Sequence, residues 1–101
     1  MNEEIRDIEI LVYGREGVRI FEKGVQVEER NLLAILEGIE ELQIITESTA
    51  HGELVVSIAG EEQSGTYFWL YYVNGEFANV GVGQYRVEDN DRIEFRLESF
   101  E

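Results

Sequence analysis

The chain opens on an alternation. Between Ile5 and Tyr13, the residues Ile8, Ile10 and Val12 alternate with Glu9, Leu11 and Tyr13, the period of a half-buried strand. Gly14-Arg15-Glu16-Gly17 follows as a hairpin signal, because two glycines accept positive φ. Val18-Arg19-Ile20-Phe21 returns as a second strand. Gly24 is expected to bulge or bend it before Val25-Gln26-Val27 resumes the pattern. The period then changes. Leu32, Ile35, Leu36 and Ile39 fall at helical spacing behind a capping Asn31, which predicts one short helix over 31–38, ended by Gly38 or extended a turn by Ile39-Glu40-Glu41. A helix that short is marginal alone and needs its leucine face packed on a sheet.

Strand periods occupy the rest. Leu42 to Ile45 is a short apolar stretch, Thr46 to Gly52 a polar loop, and Glu53 to Ile58 another strand closed by the turn-prone Gly60 to Gly65. Thr66 to Val73 is an aromatic strand, and Asn74-Gly75 between it and Glu76-Phe77-Ala78 is a strong hairpin signal. In Arg92 to Glu98, Ile93, Phe95 and Leu97 point one way while Arg92, Glu94, Arg96 and Glu98 point the other. The order predicts an α+β fold in one domain, residues 1–101, with one helix on one face of a mixed sheet.

The 101 residues fit one domain, and 44% hydrophobic content separates the chain from a disordered acidic tail. Eight Lys and Arg against 22 Asp and Glu give a net charge of −14. That charge repels phosphate backbones, so neither nucleic acid nor an anionic membrane is an expected partner. No apolar run reaches the roughly 20 residues of a membrane helix, so direct membrane insertion is not expected. The start, Met1-Asn2-Glu3-Glu4, is acidic where a secretory signal is basic, so no signal peptide is expected in this chain.

Catalytic chemistry has little to use. No cysteine is present, the only histidine is His51 in a polar stretch, and the only lysine, Lys23, sits beside a glycine. No enzyme activity, resident cofactor or metal site is expected. Glu88-Asp89-Asn90-Asp91 offers oxygens but departs from calcium-loop spacing, and reads as a tight turn with Asn90 tolerating a left-handed backbone.

The aromatic strand admits two readings. Tyr67, Trp69, Tyr71 and Val73 share one face, and Phe68, Leu70 and Tyr72 the other. Either it is a central strand covered on both sides, with tyrosine hydroxyls reaching water, or part of the stripe lines a binding surface with Phe77 and Tyr85. The candidate ligand-binding residues are Phe68, Trp69, Tyr71, Tyr72, Phe77 and Tyr85.

Gly65 to Glu76, with Trp69, the Tyr71-Tyr72 pair and Val73-Asn74-Gly75, then Gly81, Tyr85 and Glu88 to Phe95, resembles the transcobalamin-like domain family (domain of unknown function 4430). Leu32, Leu33, Leu36 and Ser57 to Gly60 fit the same pattern, with Asn90 where the family usually has glycine. The resemblance implies a β-grasp-like domain similar to the small domain of vertebrate cobalamin carriers. There it covers one face of a corrinoid and a larger helical domain, absent from this chain, covers the other. It also implies an exported or cell-surface setting. The expected function is non-catalytic binding of a small ligand, with cobalamin as the leading candidate. The alternative is a protein adhesion or assembly module using a sheet edge or the aromatic stripe.

Overall fold

The computed structural model describes residues 4–100; the start Met1–Glu3 and the terminal Glu101 lie outside them. Eight strands and one helix follow in order: β1 (Arg6–Tyr13), β2 (Arg19–Val27), α1 (Leu32–Glu37), β3 (Ile45–Thr49), β4 (Gly52–Ile58), β5 (Glu61–Glu62), β6 (Tyr67–Val73), β7 (Glu76–Phe77) and β8 (Arg92–Ser99). Five form a mixed sheet in the order β2-β1-β8-β6-β7, with β1 and β8 parallel; β3, β4 and β5 form a smaller second sheet. The α+β class and a single α-helix among the described residues stand as expected from the sequence, with Arg15–Gly17 and Glu40–Leu42 adding one 3-10 turn each. The second sheet is additional.

The core lies on one face of the larger sheet. Ile8, Ile10 and Val12 of β1 and Ile93, Phe95 and Leu97 of β8 are buried there, as their alternation predicts. Leu32, Ile35 and Leu36 of α1 close over them, joined by Val55 and Ile58 of β4. Asn31 caps the helix, its Oδ1 accepting from the Ala34 N–H at 3.1 Å. Leu11 points to the opposite, wetter face yet is only 1% exposed. Beside it Arg96 lies 4.6 Å over the Tyr13 ring and pairs with Glu94, so long amphipathic side chains form a partial cover on that face.

Several local expectations are corrected. Gly24 does not bulge: it pairs in register with Glu9, and the irregularity falls between Val12 and Tyr13. The β1–β2 turn takes its positive φ at Glu16 and Gly17, with Gly14 at φ −79°. Thr46 to Gly52 is not a loop. Ile45–Thr49 is an edge strand paired antiparallel to β4, and only Ala50 and His51 turn. Its residues are polar because most stand exposed, and Thr46 and Ser48 donate their hydroxyls to Glu53 across the ladder. Those two bonds, Ser48 first, hold the Glu53 carboxyl below its ordinary range.

Candidate functional site

The aromatic strand is neither central nor fully covered. Among the described residues, β8 pairs with all of β6, but β7 covers only Tyr72 and Val73 on the other side. β5 likewise pairs only with Ser57 and Ile58 of β4, the Gln63 N–H beyond it meeting the Val56 carbonyl at 2.9 Å. Two short stretches of sheet margin, Leu54–Val56 and Trp69–Tyr71, therefore border one cleft. It is an apolar groove of about 470 Å³, lined by Leu54, Val56, Phe68, Leu70 and Phe100 with Glu47 and Glu53 also among its lining. Phe68 packs against Phe100 at 5.7 Å between ring centroids. Past Leu54 and Leu70 it continues into a hollow of about 280 Å³ lined by Phe77 and Val80. Leu54, Phe68, Phe77, Val80 and Phe100 are each more than 40% exposed. A run of exposed apolar side chains on a chain of charge −14 makes this a candidate binding face.

The sequence candidates separate on this frame. Trp69 and Tyr71 belong to the core face, at 7% and 8% exposure, and also line the groove. Each anchors its polar atom to backbone: Trp69 Nε1 donates to the Glu61 carbonyl at 2.9 Å, and the Tyr71 hydroxyl to the Val80 carbonyl at 2.6 Å. The Tyr71 hydroxyl thus does not reach out to water, and burial pushes its pKa up to about 12. Phe68 and Phe77 are exposed and line the groove and its extension. Tyr72 lies beside them, edge-on to Phe77, with its hydroxyl donating to Glu98 at 2.9 Å. Burial first, then that bond, raises its pKa.

Tyr85 is the exception. It lines a different hollow with Val73, Phe77 and Ala78, and its hydroxyl donates to Asp91 Oδ2 at 2.5 Å. Burial first, then this bond to Asp91, holds its pKa well above the usual tyrosine range. Asp91, 5% exposed, also accepts from the Glu88 N–H and from Asn74 Nδ2, while Asn74 Oδ1 accepts from the Arg92 N–H. Asp89 Oδ1 accepts from the Asp7 N–H. The acidic turn is therefore a staple between the hairpin and β8, its two aspartates already committed to internal donors. Among the described residues, no three His, Cys, Asp or Glu side chains converge to hold a metal ion.

Among the apolar residues of the groove wall, Leu54, Val56 and Phe100 were not read from the sequence, and Leu70 was placed on the aromatic stripe without being named a candidate. Leu54-Val55-Val56 is apolar on both faces of its strand, the same signal that singled out β6, and Phe100 lies beyond the last alternating strand. Gly81 also earns its place by proximity. A Cβ there would stand 2.7 Å from the Glu53 carbonyl oxygen and 2.8 Å from its nitrogen, so only glycine lets the segment before Tyr85 approach β4 closely.

A family model described as a domain of unknown function, DUF4430, matches residues 31–99. The chain belongs to that family. No curated protein matches this DUF4430 domain in sequence. Among solved structures, it is similar to a candidate metal binding protein from Ruminococcus gnavus ATCC 29149, at TM-score 0.79 and 22% identity, over 95% of this chain and 99% of that one. It is also similar to haptocorrin in complex with Cbi, at TM-score 0.83 and 17% identity, over all of this chain and 27% of that one. The chain thus spans about a quarter of the length of haptocorrin. Likeness at these identities establishes a shared, transcobalamin-like fold. No helix of the described residues is long and apolar enough to cross a membrane.

Proposed function

We propose that this DUF4430 domain is a non-catalytic binding domain whose groove between β4 and β6 takes a small ligand with an apolar face, a corrinoid being the leading candidate. The observation that carries the reading is the groove itself: about 470 Å³, walled mainly by aliphatic and aromatic side chains. That volume lies in the range of small-molecule sites. Its half-open form suits a ligand that lies against the domain with one side left to water or to a second domain. The fold shared with haptocorrin, solved in complex with Cbi, supports the corrinoid choice. The family resemblance supports work in an exported or cell-surface protein.

Trp69 is the only tryptophan and borders the groove, so its fluorescence reports on this site. Cobalamin should quench it saturably after correction for the ligand's own absorbance. Affinity should be modest, because only one face of the ligand is desolvated. Phe68→Ala and Leu54→Ala should weaken binding at a smaller stability cost than a core truncation, since both side chains stand outside the core at about 40% exposure. Tyr85→Phe should leave binding unchanged. Absence of saturable quenching up to about 1 mM cobalamin, a limit near −4 kcal/mol, would overturn the reading.

A further inference from the structure

The edge of β6 that borders the groove is unfinished. Phe100 donates its N–H to the Thr66 carbonyl, and Asn74 donates its N–H to the Arg92 carbonyl. This phase turns the backbone groups of Phe68, Leu70 and Tyr72 toward β8, and those of Trp69 and Tyr71 away from it, to the opposite edge. There the Trp69 N–H is met by a side chain, Gln63 Oε1, at 3.2 Å, and the Tyr71 carbonyl by the Ala78 N–H at 2.9 Å. Then β7 leaves: after Ala78 the chain turns off, and the Val80 carbonyl is used by the Tyr71 hydroxyl. Among the described residues no protein group meets the Trp69 carbonyl or the Tyr71 N–H. An acceptor and a donor at ladder spacing are thus left without a ladder partner beside an apolar wall.

We infer that this edge accepts an extended peptide as an added strand, with apolar side chains at alternate positions and Lys or Arg at its ends. Strand addition supplies the missing donor and acceptor, while alternate side chains rest against Leu54, Leu70 and Phe77. Charge selects the ends. Glu47 and Glu53 line the groove, and the chain carries −14. A second copy of this chain would bring the same negative charge to the same place, which disfavours self-pairing. This activity goes beyond the small-ligand reading. It uses the same groove, so a bound corrinoid and a bound peptide exclude each other.

The test varies the peptide and leaves the folded domain untouched. The probe is acetyl-Lys-Val-Thr-Val-Thr-Val-Lys-amide, titrated into nitrogen-labelled domain and followed by amide shifts and hydrogen exchange. Binding should saturate, and exchange of the Tyr71 N–H should slow in the complex. Methylating the peptide amide that donates to the Trp69 carbonyl should weaken binding roughly tenfold, the effect of losing one backbone hydrogen bond and leaving that carbonyl unmet. Replacing both lysines by glutamate should also weaken it, with a gap that narrows as sodium chloride is added. Equal binding of the methylated peptide, or unslowed exchange at Tyr71 when the domain is saturated, would overturn strand addition. Saturable cobalamin quenching with no response to any peptide would overturn it alone and leave the small-ligand reading standing.

Discussion

Single residues here are fixed by what lies within one atom's reach. Gly81 cannot gain a methyl group without meeting the Glu53 backbone at 2.7 and 2.8 Å, and the Val82 N–H depends on that approach to reach the Glu53 carbonyl at 3.1 Å. Gly81→Ala should therefore destabilise by about 1–3 kcal/mol, the usual cost of overpacking against atoms that cannot yield. Gly24→Ala is the control: its nearest neighbour would be 3.9 Å away, so its denaturation midpoint should hardly move. Equal midpoints for the two variants would refute the close-approach role. Tyr71 makes a second prediction at this scale. Its folded pKa is about 12 against an ordinary value near 10, so the unfolded chain loses this proton first as pH rises. The stabilisation is fully present below about pH 10 and is lost as pH climbs toward 12. Thermal melts across that window should show falling stability, and Tyr71→Phe should lessen the fall while leaving the shares of Tyr72 and Tyr85. A Tyr71→Phe variant with an alkaline decline as steep as the parent's would contradict it.

At the scale of elements, the helix is the clearest case of sequence and packing agreeing. Six residues cannot hold a helix alone, and α1 persists because Leu32, Ile35 and Leu36 are buried in the sheet core. Leu36→Ala should cost about 2–5 kcal/mol in urea titration, since Leu36 is fully buried and the deletion leaves a cavity; a near-neutral result would place the helix elsewhere. Elements whose period was set by a single buried face, β1, α1 and β8, were legible in the chain. So was the Asn74-Gly75 turn, where φ is +54° and +88°. What escaped was everything decided by lateral neighbours. β3 reads as a loop because an exposed edge strand needs no apolar face, only a ladder partner in β4. The same blindness hid half of the site: the sequence shows that β6 is apolar on both faces, but not that β7 is two residues long and leaves its edge open. Motif residues were legible as a group and then divided by the fold, with Trp69 and Tyr71 at the groove and Asn74, Tyr85 and Asp91 in the staple.

The whole molecule is a small body under a large charge. Its extents are 49 × 30 × 25 Å and it carries −14. At about 0.01 M ionic strength the Debye length is about 30 Å, so acids across the full width of the domain repel one another; at about 0.15 M it is about 8 Å and only neighbours interact. Salt also weakens the attractive ion pairs, but among the described residues these are few and half of them are exposed on both sides, with N–O distances from 2.8 Å for Arg19–Glu22 to 3.9 Å for Arg92–Glu9. Exposed pairs contribute little, and pairs in contact are screened less than charges 10 Å or more apart. With 22 acids against 8 bases the repulsive part is the larger one. Unfolding relieves it by spreading the charges, so screening favours the compact state. Raising sodium chloride from about 0.01 to about 0.15 M should therefore lift the melting temperature by a few degrees, since about 1 kcal/mol corresponds to about 4–8 °C at this size. Sodium chloride is the right salt, because sulfate would stabilise by surface exclusion whatever the charge. A melting temperature that fell over this interval would mean that the handful of ion pairs outweighs the field of the whole chain.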